Sequence, residues 1–102
     1  MNDKTTNPLA DLDQIIHTPA RLNIMTQLYV VESADYIFLK NLTGLTWGNL
    51  SAHAAKLAEE GYLEIEKSIV NKKTHTVAKL TKKGRRAFEE YRQQMMEVLE
   101  KK

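Results

Sequence analysis

Residues 46–61, TWGNLSAHAAKLAEEG, hold the side chains best placed to exchange hydrogen bonds with a partner. Thr46 is a good helix N-cap and Gly61 a good terminator. Leu50, Ala54 and Leu57 recur at helical spacing and mark one buried face. The opposite side carries Gly48, Asn49, Ser51, Ala52, His53 and Lys56. An ordinary solvent face would be richer in Glu and Lys. A face of short polar side chains lets a helix press close to a surface of donors and acceptors, and the base edges of a DNA major groove are such a surface. The bland alternative is an amphipathic helix with an unremarkable exterior.

Other chemistries find less support. A hydrolytic or acid–base site needs paired carboxylates, or a nucleophile beside a base, converging on a pocket. Here Glu59, Glu60, Glu89 and Glu90 are spaced as helix exteriors, so no enzyme is expected. His17 has no second His or Cys at ligand spacing and reads as a local hydrogen-bonding residue, not a metal ligand. No metal or cofactor is implied. The chain lacks Cys, which removes disulfide and thiolate chemistry and fits an intracellular, cytoplasmic protein. No apolar run is long enough to span a bilayer, and the N-terminus lacks a signal pattern.

Charge distribution favours a polyanion. The net charge of +2 is uninformative, but residues 67–88 hold eight cations and no acid: Lys67, Lys72, Lys73, Lys79, Lys82, Lys83, Arg85 and Arg86. The competing explanation is a solubilising face. Arg85 and Arg86 fall in the first turn of a predicted helix, where the dipole disfavours cations. Their presence there points to a nearby anion.

The surrounding elements follow from periodicity. At 102 residues, one domain is expected, with a modest core. Residues 1–8 read as a flexible lead-in and 9–102 as the domain. Leu9, Leu12, Ile15 and Ile16 give a short helical pattern. Thr18-Pro19 opens a helix to about Glu32. Residues 33–36 read as a connector. A short helix from Ile37 or Phe38 to Thr43 ends at Gly44, and Thr46 caps the next. A short helix, a Gly-containing turn and a longer helix make a helix-turn-helix. Residues 63–70 and 74–80 read as a two-stranded hairpin around a polar turn, Asn71-Lys72-Lys73. Thr81 can cap a last helix over 82–99, with Gly84 in its first turn allowing close packing.

Helix, helix-turn-helix, hairpin, helix is the order of a winged-helix domain, mainly α with a β-hairpin. The carriers are LDQIIHTPARLNIMTQL, LTGLTWGNLSAHAAKLAEEGYL and VAKLTKKG. In this order they resemble the small single-domain winged-helix transcription regulators of the MarR and ArsR type. The chain departs from those families in three places. The stretch before the first helix is short for the MarR type. The Cys of ArsR-type metal sensors is missing. The wing carries Asn71-Lys72-Lys73 where many MarR-type wings have Asp-x-Arg.

The resemblance implies a sequence-specific regulator of transcription bound to double-stranded DNA as a homodimer. Thr46, Trp47, Gly48, Asn49, Ser51, Ala52, His53 and Lys56 would face the major groove. Lys72, Lys73 and His75, on a wing over 70–75, would meet the backbone or minor groove. Trp47 reads first as packing its ring under the turn, and otherwise as touching the sugar-phosphate edge. Phe88, Tyr91, Met95, Val98 and Leu99 form an apolar stripe along the last helix, either a cover for its own core or a dimer seam. A small-molecule effector is compatible with this reading, but no residue pattern marks one. The runner-up is a winged helix that docks proteins and never touches DNA.

Overall fold

The computed structural model describes residues 8–100; the lead-in expected over 1–8 therefore lies almost wholly outside the described residues. A 3-10 turn, Pro8–Asp11, precedes four helices and three strands: α1 Pro19–Val31, β1 Ser33–Asp35, α2 Tyr36–Thr43, α3 Trp47–Glu59, β2 Leu63–Val70, β3 Lys73–Leu80 and α4 Lys82–Glu100. No helix among the described residues is long and apolar enough to cross a membrane.

The helix-turn-helix closes through its caps. Asp35 accepts from the Phe38 backbone N–H at 2.8 Å and starts α2. Gly44, at φ 74°, ends it in the left-handed region that favours glycine. Thr46 then accepts from the Asn49 N–H at 3.1 Å and starts α3. Leu50, Ala54 and Leu57 turn inward onto Ile24, Met25, Leu28 and Leu39, all without solvent exposure. The polar side of α3 is thereby left facing out.

The hairpin is an antiparallel pair in continuous register from Leu63↔Leu80 to Val70↔Lys73. Its turn has two residues, Asn71 and Lys72, both with positive φ (53° and 66°). That is the twist-matched form of a two-residue hairpin. Lys73 belongs to the strand, not to the turn. The connector expected at 33–36 is a third strand. Ser33, Ala34 and Asp35 pair antiparallel with Lys79, Ala78 and Val77, giving the sheet order β1-β3-β2. Three residues are too few to show a period, so this strand had no sequence signal.

The helical pattern at Leu9–Ile16 is corrected as well. Leu12 and Ile16 are buried, but Asp13 turns the chain by accepting from the backbone N–H groups of Ile15 and Ile16. Asp13 also accepts from the Tyr62 hydroxyl, and His17 Nδ1 lies 2.7 Å from the Tyr91 hydroxyl. His17 thus bonds locally through its backbone N–H, which donates to the Asp13 carbonyl at 2.8 Å, and its ring adds a long-range tie to α4.

α4 docks through Gly84. A Cβ there would lie 2.2 Å from the Tyr62 carbonyl oxygen, so only glycine permits the approach. Thr81 Oγ1 accepts from the Gly84 N–H at 2.9 Å and donates to the Gly61 carbonyl at 2.7 Å. One threonine thus caps α4 and fastens it to the end of α3.

Candidate nucleic-acid interface

The N-terminal end of α3 and the wing border a common recess. Trp47 lines a recess of about 330 Å³ with Asp35, Tyr36, Ile37, Thr74, His75 and Thr76. The first turn of α3, the start of α2 and the tip-side half of β3 therefore border one concave surface. Thr46, Trp47, Gly48, Asn49, Ser51, Ala52 and Lys56 are exposed, and His53 is half-buried. On a helical projection Asn49, Ala52, His53 and Lys56 share a side, with His53 on its flank. Gly48 has nothing within 4 Å of where a Cβ would stand, so its smallness leaves open space outside the helix.

Trp47 does not pack beneath the turn. It is 52% exposed, and the Lys40 ammonium sits 5.3 Å from its ring centroid. Leu39 and Leu50 are fully buried in the core, and Leu45 of the turn packs against it. The correction moves Trp47 to the surface and adds Lys40, which sequence reading overlooked, beside it. A cation over an indole face is worth about 0.5–1 kcal/mol at an exposed site.

The Thr46 side chain uses a lone pair on Asn49 N–H, and its own O–H has no partner among the described residues. Lys56 lies 3.9 Å from Glu59, but both side chains are well exposed and the pair holds loosely. Lys72 and Lys73 are exposed at the wing tip, and His75 is half-buried farther down β3. Ile69 and Val70, which were not singled out in the sequence, are exposed there too.

The basic block divides in space. Lys72 and Lys73 ride on the tip. Lys79, Lys82 and Arg85 line a separate recess with Glu32 and Glu64. The anion foreseen beside Arg85 is the chain's own Glu32, 3.5 Å away. Arg85 and Arg92 also lie over the Tyr29 ring, at 4.9 and 5.7 Å, and Tyr29 donates to Glu89 at 2.9 Å. Of the eight cations in the block, Arg85 is thus engaged within the domain, and the Lys83 ammonium lies 5.8 Å from the Tyr62 ring centroid.

The apolar stripe divides as well. Phe88 and Tyr91 are 4% and 3% exposed and stack within the core, Phe88 against Tyr29 and Tyr91 beside His17. They are spent on the chain's own fold, a correction to the five-residue seam. Met95 and Val98 are half-buried, and Leu99 is 74% exposed, as is much of Met96. With Leu22, Thr26, Tyr29 and Val30 of α1, the free end of α4 lines an open apolar groove of about 500 Å³.

Three tyrosines have hydroxyl pKa values above the ordinary range. Burial raises Tyr62 most, and the Asp13 carboxylate bonded to its hydroxyl raises it further. Burial also raises Tyr36 and Tyr91, the latter aided by the charge of Asp13. All three stay neutral at physiological pH.

Comparison with known proteins places this geometry. Residues 20–99 match the model of a winged helix DNA-binding domain. An uncharacterised protein of Methanocaldococcus jannaschii is 35% identical over 85 residues, covering 83% of this chain and 92% of that one. A transcriptional regulator homologue from Pyrococcus horikoshii OT3 superposes with a TM-score of 0.84 at 25% identity, over 92% of this chain and 95% of that one. NadR in complex with 4-hydroxyphenylacetate superposes at 0.69 over 97% of this chain and 80% of that one, and at 18% identity shares the fold alone. Since the family model spans from the start of α1 nearly to the end of α4, and the archaeal relative aligns over most of both sequences, the chain belongs to the winged helix DNA-binding domain family.

Proposed function

We propose that the protein is a sequence-specific transcription regulator of the MarR/ArsR-like type that binds double-stranded DNA as a homodimer. α3 enters the major groove, and the wing from Val70 to His75 follows the backbone or the adjacent minor groove. Thr46, Trp47, Lys72 and Lys73 meet phosphate and sugar and set the register. Asn49, Ser51 and His53 reach base edges, Gly48 and Ala52 let the helix approach, and Lys56 meets a base or the flanking backbone. The observation that carries this reading is the shared recess of Trp47 and His75, because it puts the start of the recognition helix and the wing on one concave surface.

A single recognition helix reads too few base pairs to select one site in a genome. A two-fold dimer doubles the reading and spaces half-sites by about 34 Å or a multiple. The open end of α4, with Met95, Met96, Val98 and Leu99 beside Val30, supports a seam there, since exposed apolar grooves of this kind mark interfaces. The domain then comprises residues 9–102 with α4 as its dimerisation helix.

Trp47 is the chain's single tryptophan, which supplies the test. Duplex DNA titrated into the protein is expected to change its emission, and raising salt from low to moderate is expected to reverse the change steeply. Emission unaffected by DNA, or a response indifferent to salt, would favour the protein-docking alternative.

A further inference from the structure

We infer that Arg21 is a positioning residue for DNA reading: it fixes the His53 ring so that Nε2 presents an N–H to an acceptor on a base edge. The inference rests on α3 being the groove-entering helix. Arg21 occupies the first turn of α1, beside Pro19, and that turn contains no acid. The helix dipole disfavours a cation there. Among the described residues no carboxylate lies within ion-pair distance of it. Its contacts are instead two neutral acceptors. Nε donates to the Ile15 carbonyl at 2.5 Å, and NH1 lies 3.2 Å from His53 Nδ1.

A guanidinium has five N–H donors and no lone pair to accept with. The Arg21–His53 bond therefore requires a lone pair on Nδ1, and the single proton of the neutral ring must be on Nε2. The anchor is itself held. Asp13 Oδ1 accepts from Ile15 N at 2.8 Å and from Ile16 N at 3.2 Å, and its other oxygen accepts from Tyr62. The line of support runs from the core-locked Asp13 turn, through the Ile15 carbonyl and the Arg21 fork, to a ring on the flank of α3. With Nδ1 occupied, His53 offers the groove a donor. Guanine O6 and N7, adenine N7 and thymine O4 accept it, whereas the cytosine amino group does not.

Two measurements test this on the full chain. Long-range 1H–15N spectra of the free protein report the His53 tautomer. The wild type is expected to show the Nε2–H form alone, and Arg21→Gln a mixture. A wild-type ring protonated at Nδ1, or the same tautomer population in both proteins, overturns the inference without touching the proposed function. The second measurement uses a duplex selected by the wild type from a random-sequence library, beside a mixed-sequence duplex. Arg21→Gln and His53→Ala are each expected to cost about tenfold on the selected duplex. Each should cost much less on the mixed one, and the double variant should be no worse than His53→Ala alone. Additive losses, or equal losses on both duplexes with a shallower salt slope, would make Arg21 a phosphate contact and overturn the inference. Should Arg21→Gln fail to fold, Arg21→Lys keeps the charge but not the fork, and is expected to give the same tautomer mixture and the same loss. Failure of the wild type to bind either duplex counts against the proposed function, while the spectra still decide the tautomer.

Discussion

Replacing Gly84 with Ala puts a methyl group where the Tyr62 carbonyl already sits. The added Cβ would lie 2.2 Å from the oxygen, 2.9 Å from the carbonyl carbon and 3.0 Å from Leu80 Cδ1. Ordinary Cβ contacts begin near 3.4 Å, so helix and carbonyl must part by about 1 Å. Neither moves freely. The Tyr62 carbonyl accepts from Thr81 N at 3.0 Å, the Tyr62 N–H donates to Leu57 at 2.9 Å, and the Tyr62 hydroxyl is tied to Asp13. Overpacking of this kind costs about 1–3 kcal/mol, and a stretched hydrogen bond adds about 1. Ala gains at most about 1 kcal/mol over Gly in a helix, and less in a first turn. The net expectation is a loss of about 2–3 kcal/mol, or a drop in melting temperature of about 10–20 °C for a domain of this size. Gly48→Ala is the matched control. Its Cβ meets nothing within 4 Å in a helical backbone, so it is expected to hold or raise the melting temperature. Thermal unfolding followed by circular dichroism measures both. A Gly84→Ala protein melting at or above wild type would refute the close-approach argument.

Three further outcomes are expected. Because the folded-state pKa of Tyr62 lies above its unfolded value near 10, its contribution is intact below pH 10 and lost as pH rises beyond it. Denaturant titrations across pH 8–12 should show stability falling above about pH 10, with a shallower fall in Tyr62→Phe. Lys72→Ala with Lys73→Ala should weaken all duplexes about equally and reduce the salt slope by about 0.9 for each lost phosphate contact, and an unchanged slope would remove the wing from the interface. Met96→Glu with Leu99→Glu should convert a wild-type dimer to a folded monomer in sedimentation equilibrium, since both side chains are largely exposed, and a wild type already monomeric at tens of micromolar would refute the α4 seam.

Periodicity and caps carried most of the fold. Gly44 ended α2, and Thr46 and Gly61 bounded α3, because their roles are local: a hydroxyl accepting from a nearby N–H, or a backbone at positive φ. Leu50, Ala54 and Leu57 announced their face by spacing alone. What stayed illegible depends on partners distant in sequence. β1 exists only because β3 arrives to pair with it. Trp47 is exposed, with Lys40 near its ring, a contact that no spacing announces. The split of the basic block needed the placement of Glu32 and Glu64. Phe88 and Tyr91 carry the same helical signature as Leu99, and spacing does not tell which end of a stripe runs past the body of the domain. Arg21 did leave a trace, as a cation in the first turn after Pro19 with no acid beside it.

The pairing of Ser33 with Lys79 also bears on how the chain assembles. The whole helix-turn-helix and the outgoing wing strand lie inside the loop that this contact closes. Closing a long loop costs entropy before any contact across it stabilises the chain. Two-residue hairpins close far more readily, so β2 and β3 have reason to pair first, around Asn71 and Lys72. β1 then has a finished strand edge to join, and its arrival fixes the end of α1 and the start of α2. The helix-turn-helix is on this account completed late in folding and is not a seed for it. Ribosomal synthesis sharpens the point: α2 and α3 leave the tunnel well before β3 does, and must wait for it.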